Sequence, residues 1–273
     1  MTPDFPARVA DATAAIRAVS DFRPEVALVT GTGLAPLLDQ IDLVARIPYG
    51  AIAGFPTSTA PSHAGELLLG TLAGRPVVAQ SGRFHLYEGW SGEDVVLPVY
   101  VMRALGAARY VVTNAAGGLN PDLRVGDAVL ITDQLNLTGL HPLSGPNDDS
   151  LGPRFPDMSR AYDPDLRAAA LALHPDLPTG QYAAIHGPEF ETSAERRFLR
   201  AAGGDLVGMS TALEVIAANH AGMKVLGFSV VTNSATGGPD QQPDTLEEVL
   251  ENAAKGAVKI RALLNRMFET GGL

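Results

Sequence analysis

The chain has 273 residues, a formal net charge of -10, and 46% hydrophobic against 18% charged residues. That balance supports a substantial core and excludes wholesale disorder, while the excess of acids (30 Asp plus Glu against 20 Lys plus Arg) argues against a nucleic-acid surface, which needs a basic face. There is no cysteine, so disulfides, thiolate metal sites and cysteine nucleophiles are all excluded.

The first stretch, MTPDFPARVADATAAIRAV, has early acids and no apolar core of signal-peptide length. No run of 18 apolar residues occurs, so a cytoplasmic protein without a membrane span is expected. Residues 7–20 have helical spacing, with Val9, Ala12, Ile16 and Val19 on one side. EVALVT then reads as a buried strand, followed at once by Gly31-Thr32-Gly33 and LAPLLDQI. Further apolar runs follow: ELLLGTL, RPVVAQ, ARYVVTN, DAVLITD and KVLGFSVVTN. Helical patterns intervene at 93–105 and 212–221. Strands alternating with helices predict an α/β sheet covered on both faces.

Residues 138–160 are rich in Gly, Pro and Asp and long for a structureless connection, which suits a lid, an interface segment or disorder. The last element is an amphipathic helix from Thr245 to Phe268, with Val249, Ala253, Val258, Ile260, Leu263 and Leu264 as its apolar stripe. TLEE offers a capping box: Thr245 as N-cap, Glu248 reaching back.

Several stretches carry possible chemistry. VVTN occurs at 111–114 and again at 230–233, each copy followed by small residues. If both are strands, Asn114 and Asn233 lie near carboxyl ends, where open α/β sheets bind ligands; the alternative is two ordinary strands. The Gly31-Thr32-Gly33 turn suits an anion, with Thr32 adding a hydroxyl, or is simply a tight turn. It is neither a dinucleotide fingerprint nor a P-loop. Ser62 and His63 sit in a turn before a strand, and His63 reads as a surface residue or a ligand contact.

GRFHLYEGW is the strongest polar run. Arg83 and His85 alternate as on a strand and face one way, with Tyr87 next if the extended form continues. Arginine suits forked bonds to phosphate, and Glu88 could orient Arg83 or His85. The other reading is an exposed strand end with a surface ion pair. Glu191, beside Phe190, precedes the helical TSAERRFLRAA; it could hydrogen-bond a heterocycle that Phe190 stacks on, or be a helix-start acid. Glu195 reads as a first-turn acid. Met209, Ser210 and Thr211 lie between a short strand and an Ala-rich helix, a place that suits an anion. His220 reads as structural. No metal-ligand pattern and no G-x-S-x-G elbow occurs.

Taken in order, GTGL, SHAGELLLG, GRFHLYEGW, VVTNAAGGLNP, LNLTGLHPLSGPND, RFPDMSRAYD, GPEFETSAE and VGMSTALEVIAANHAGMKVLGFSVVTN resemble the trimeric purine nucleoside phosphorylases over essentially the whole chain. The resemblance implies one domain over 1–273, a three-layer α/β/α sandwich with a mixed, partly barrel-like central sheet, assembled as a homotrimer. It implies reversible phosphorolysis of 6-oxopurine (deoxy)ribonucleosides, with inorganic phosphate as co-substrate and no metal or other cofactor.

Carried over by motif, phosphate would be held by Thr32, Arg83, His85, the Ala115 backbone and Ser210, with His63 touching it from its loop. Asn114 would sit beside phosphate and base. Tyr87 and Met209 would line the ribose. Glu191 and Asn233 would hold the purine against Ala115 and Phe190, so His85, Glu191 and Asn233 carry the catalytic expectation. Glu191 would accept from purine N1 and Asn233 would donate to N7, a pairing that implies inosine and guanosine.

Two departures stand out. The family often has a histidine near the start of the last helix, contacting the ribose 5′-hydroxyl; this chain has none after His220, and the register puts Leu246 there. Leu151 falls where family members can present an aromatic from a neighbouring subunit. Two rival readings follow: a 5′-methylthioadenosine phosphorylase, towards which Leu246 leans and Asn233 does not, and a non-catalytic nucleoside-binding protein.

Overall fold

The computed structural model describes residues 1–60 and 64–273; the expectations for Ser62 and His63 lie outside the described residues. Among the described residues, nine strands form one sheet: β1 (Val26–Thr30), β2 (Asp42–Pro48), β3 (Glu66–Leu72), β4 (Arg75–Ser81), β5 (Arg109–Gly118), β6 (Ala128–Asn136), β7 (Thr179–Ala184), β8 (Leu206–Gly208) and β9 (Lys224–Ser234). Their order is β2-β3-β4-β1-β5-β8-β7-β6-β9, and β9 also pairs with β5. That last pairing returns the sheet on itself, so five strands close into a barrel while β2, β3, β4 and β1 extend as an open wing. Both parallel and antiparallel ladders occur: β1 runs parallel to β4 and β5, whereas β3 is antiparallel to β2 and β4.

Among the described residues there are six α-helices: α1 (Phe5–Val19), α2 (Gly92–Leu105), α3 (Pro164–Leu173), α4 (Ser193–Ala201), α5 (Ala212–His220) and α6 (Leu246–Glu269). Helices α1, α2 and α5 share one apolar core with one face of the sheet, and α3 and α6 share a second core with the other. The strands are covered on both sides, which is why EVALVT reads as a continuous apolar run: all five residues of β1 are buried. The expected three-layer sandwich with a partly closed, mixed sheet is the fold observed. Among the described residues, no helix is long and apolar enough to cross a membrane.

Several expectations shift by a turn or less. In α1 the buried residues are Phe5, Val9, Ala12 and Ile16, while Val19 ends the helix 60% exposed. In α6, Val258 is 57% exposed and Ala257 faces the core instead. Thr245 caps α6 by accepting from the Glu248 amide at 3.2 Å, but Glu248 does not return the bond, so only half of the expected box forms. The full box occurs at α4, where Thr192 and Glu195 exchange bonds, which explains Glu195 as a first-turn acid. Strands β2 and β7 and helix α3 were not foreseen. Residues 138–160 contain no helix or strand.

The two VVTN copies lie in β5 and β9, which pair in parallel, but they are not equivalent. β5 continues through AAGG, so Asn114 lies inside a ten-residue strand opposite Ser229, whereas Asn233 is opposite Gly117 at the far end. The small residues after Asn114 extend the strand rather than ending it.

Candidate active site

The site grows from the carboxyl ends of central strands. The turn after β1 brings in Gly31 and Thr32, the segment after β4 brings Arg83, His85 and Tyr87, and β8 leads into Met209 and Ser210. All of these line a cavity of about 400 Å³, a size suited to a small organic ligand. Asn114, Ala115, Phe190, Glu191, Asn233 and Leu246 line the same cavity. Every sequence-predicted site residue within the described part is therefore brought together except Leu151. That residue packs on the core shared by α1, α2 and α5 and does not line the cavity.

One polar cluster surrounds Arg83. The side chain is 1% exposed, and its Nε lies 3.4 Å from the carboxylate of Glu214, itself 2% exposed. Arg83 Nη1 donates to Ser210 Oγ at 2.9 Å and to Thr211 Oγ1 at 3.4 Å. Asn114 Nδ2 donates to Thr211 Oγ1 at 2.9 Å, and Asn114 Oδ1 accepts from Ser229 Oγ at 2.7 Å. Space is tight at Gly31: a Cβ on it would stand 3.3 Å from Arg83 Nη1 and 3.2 Å from Asn114 Cα. The LAPLL segment beyond it forms a short 3-10 turn, Ala35–Leu38.

Thr211 has φ 67° and ψ -53°, and the Ala212 amide donates back to Ser210 O at 2.7 Å. Together these define a γ-turn of the rare, strained kind. The surroundings enforce it: Glu214 Oε2 accepts from the Thr211 amide at 2.9 Å, and Asn114 and Arg83 hold its hydroxyl. The turn presents Ser210 and Thr211 to Arg83 at the start of α5.

The extended form of GRFH does not continue. His85 is extended, but residues Leu86–Glu88 fold into a 3-10 turn, so Tyr87 reaches the cavity by stacking on His85 (centroids 4.6 Å, planes 17°). Glu88 orients His85 and not Arg83: one carboxylate oxygen accepts from the His85 amide at 2.9 Å and lies 3.1 Å from Nδ1. Burial alone would raise the Glu88 carboxyl, yet the bonds it accepts from His85 and Thr59 hold it down at about 2. An ionised carboxylate only accepts, so the Nδ1 contact is a donation from His85 to Glu88. Burial lowers the His85 pKa, with Arg83 assisting, against the opposing pull of Glu88 and Glu214. Burial thus favours the neutral imidazole at this position. Tyr87 is raised to about 12, by burial first and Glu88 second, so its hydroxyl stays protonated.

A second cluster surrounds the purine candidates. Asn233 Nδ2 donates to Asp244 Oδ1 at 2.7 Å, and Asn233 Oδ1 accepts from Thr232 Oγ1 at 2.8 Å. Arg196 Nη2 donates to the other oxygen of Asp244, and Arg196 Nε lies 3.5 Å from Glu191 Oε2. Burial raises the Glu191 carboxyl, with Arg196 opposing and Asp244 and Glu195 adding to the rise.

A model of the phosphorylase superfamily matches residues 25–269. Purine nucleoside phosphorylase 1 of Bacillus subtilis is 47% identical over 268 residues, covering 96% of this chain and 99% of its own. The chain belongs to the purine nucleoside phosphorylase family. Two solved structures of Schistosoma mansoni purine nucleoside phosphorylase share its fold, each covering 96% of both chains with a TM-score of 0.90. One, isoform 2, is in complex with cytosine and ribose-1-phosphate and is 39% identical; the other, in complex with inosine, is 37% identical.

Within this family site, Glu214, Asp244 and Arg196 escaped the sequence reading. Glu214 lies in an Ala-rich helix where one acid looks like a solvent-facing residue; only its spacing, three after Thr211, hinted at the bond it makes. Asp244 and Arg196 are 48 positions apart, and no local pattern links them.

Proposed function

We propose that the protein is a purine nucleoside phosphorylase that converts 6-oxopurine nucleosides such as inosine and guanosine, with phosphate, into free base and pentose 1-phosphate. The carrying observation is that one cavity joins the Arg83–Ser210–Asn114 cluster, which suits an anion, to the Glu191–Asn233 pair, which suits a purine edge.

A phosphate oxygen attacks C1′ as the C1′–N9 bond breaks, and the bonding electron pair leaves with the purine. Positive charge develops on the sugar, which the phosphate anion stabilises; negative charge develops on the base, which fixed donors stabilise. Arg83, Ser210 and Thr32 supply donors to phosphate, and His85, which lines the same cavity, hydrogen-bonds the same anion. Asn233, with one Nδ2–H committed to Asp244, has a second for N7. Glu191 as a carboxylate accepts from N1–H. Phe190 covers the base, and Tyr87 and Met209 flank the sugar.

The proposal includes a homotrimer in the cytoplasm with no cofactor beyond phosphate as co-substrate, and one domain over 1–273, since all nine strands join one sheet. The test is base release from inosine, guanosine and adenosine, each with and without phosphate. Phosphate-dependent hypoxanthine and guanine release, with adenosine far slower, is expected; release without phosphate, or binding without turnover, refutes it. The methylthioadenosine reading draws support from Leu246 and Val249 in the cavity lining. Adenine release from methylthioadenosine exceeding hypoxanthine release from inosine would favour it.

A further inference from the structure

Glu191 and Asn233 come from different parts of the chain, and a purine edge can be read only if both are held in one fixed relation. We propose that Arg196 and Asp244 are positioning residues that join them into one recognition unit and set the preference for a 6-oxo over a 6-amino purine. The inference rests on the phosphorylase reading above and deepens it.

Neither Arg196 nor Asp244 lines the cavity, so both act through residues that do. The Arg196 side chain is 3% exposed and that of Asp244 5%. Arg196 stands on α4, just after Glu191, and its Nη2 donates to Asp244 Oδ2. Its Nε makes no hydrogen bond but lies 3.5 Å from Glu191 Oε2, an ion pair without a directional constraint. Asp244 passes the arrangement on by accepting from Asn233 Nδ2 at 2.7 Å. The loop that carries Asp244 is laid on α4 by a second contact, Arg197 Nη1 donating to Gly237 O at 2.9 Å. Gly237 has φ +66°, and a Cβ there would meet Ser193 O at 2.7 Å and Arg196 Cβ at 3.0 Å, so the approach of loop to helix depends on the bare backbone.

An amide side chain can turn over and exchange its oxygen for its nitrogen, which inverts what it offers a base. Thr232, the other partner of Asn233, has a hydroxyl that both donates and accepts, so it tolerates either orientation. Asp244 does not. As a carboxylate beside Arg196 it only accepts, and it holds Nδ2 on its own side. The remaining Nδ2–H serves acceptors on the base, as a 6-oxopurine presents. With Asp244 gone, Asn233 turns freely, and its Oδ1 can accept from a 6-amino group. Arg196 acts at the other end. The charged groups facing Glu191 are Arg196, Asp244 and Glu195, and only Arg196 favours the ionised form that accepts from N1–H.

The experiment uses the full-length enzyme and begins with the wild type on inosine and adenosine with phosphate; no phosphorolysis there refutes the underlying reading and not this one. Asp244→Ala, Asp244→Asn and Arg196→Met are then compared, each checked for an unchanged far-ultraviolet spectrum and cooperative unfolding. The inosine-to-adenosine ratio of kcat/KM should fall about tenfold in Asp244→Ala, the worth of one oriented hydrogen bond. KM for phosphate should stay near that of the wild type. In Arg196→Met the acid limb of the inosine kcat/KM profile should move to higher pH. Folded variants whose ratio stays within threefold of wild type and whose acid limb does not move overturn the proposal, as does a rise in phosphate KM as large as the fall in ratio.

Discussion

Arg83 and Glu214 form an ion pair at 3.4 Å with both side chains essentially removed from solvent. Such a pair repays its desolvation only through further bonds, and here Tyr110 donates to Glu214 at 3.4 Å and the Thr211 amide donates at 2.9 Å. Glu214→Ala leaves a buried guanidinium without its counter-charge and should destabilise by about 3–5 kcal/mol. Glu214→Gln keeps the shape and should lose less. Urea unfolding measures both; equal stability of Glu214→Ala and wild type contradicts this account.

Thr211 separates strain from bonding. Thr211→Ala removes the hydroxyl but keeps a side chain at φ 67°, whereas Thr211→Gly removes the hydroxyl and relaxes the backbone. The glycine variant should be the more stable of the two by about 1–3 kcal/mol. Unfolding midpoints decide it, and an alanine variant more stable than the glycine variant rules out strain at this turn.

Asn233→Asp should erode the 6-oxo preference, since a carboxylate accepts from a 6-amino group. The structure adds a pH dependence. The new carboxyl would lie within hydrogen-bond distance of Asp244, 2.7 Å in the native pair, and two such groups hold one proton between them at low pH. The inosine-to-adenosine ratio of this variant should therefore fall as pH rises. A ratio equal to that of the wild type at every pH sinks the assignment of Asn233.

His85 and Glu88 link the site to acid stability. Burial depresses the His85 pKa below 6.5, so the unfolded chain binds more protons there, and this contribution is lost as pH falls below 6.5. Glu88, held at about 2 against an ordinary 4.5, contributes stability above 4.5 that is lost as pH falls towards 2. Denaturation midpoints across pH should show both losses, and Glu88→Gln should remove the lower one. An acid profile identical in Glu88→Gln and wild type excludes the assigned role of that carboxylate.

Leu246 lines the cavity where a polar partner for the 5′-hydroxyl was absent from the sequence. Inosine and 5′-deoxyinosine should react with kcat/KM values within about tenfold, less than the roughly 1.5–3 kcal/mol of a hydrogen bond to a charged group would separate. Leu246→His should widen the gap. A loss of several hundredfold with 5′-deoxyinosine in the wild type contradicts the placement.

What the sequence showed and what it hid divide along a physical line. Buried strands such as Val26–Thr30 were legible because cover on both faces demands continuous apolar runs. Strand β2 was not, because it lies at the sheet edge with mostly exposed residues and carries no such run. Tyr87 was assigned to the cavity for the wrong local reason, since a 3-10 turn and ring stacking, not strand alternation, deliver it.

The sequence by itself determined the family, the two-faced sheet and most of the side chains that line the cavity, because residue type and spacing are local properties. Tertiary structure alone decided their states. The His85 pKa is lowered because burial outweighs the pull of Glu88, and Arg83 is compensated because Glu214 folds beneath it. Asn233 has a defined orientation because Asp244, 11 positions further on, accepts from it and is itself held by Arg196, 48 positions away from Asp244. Charge, tautomer and amide orientation depend on burial and on partners distant in sequence, and only the folded chain sets those.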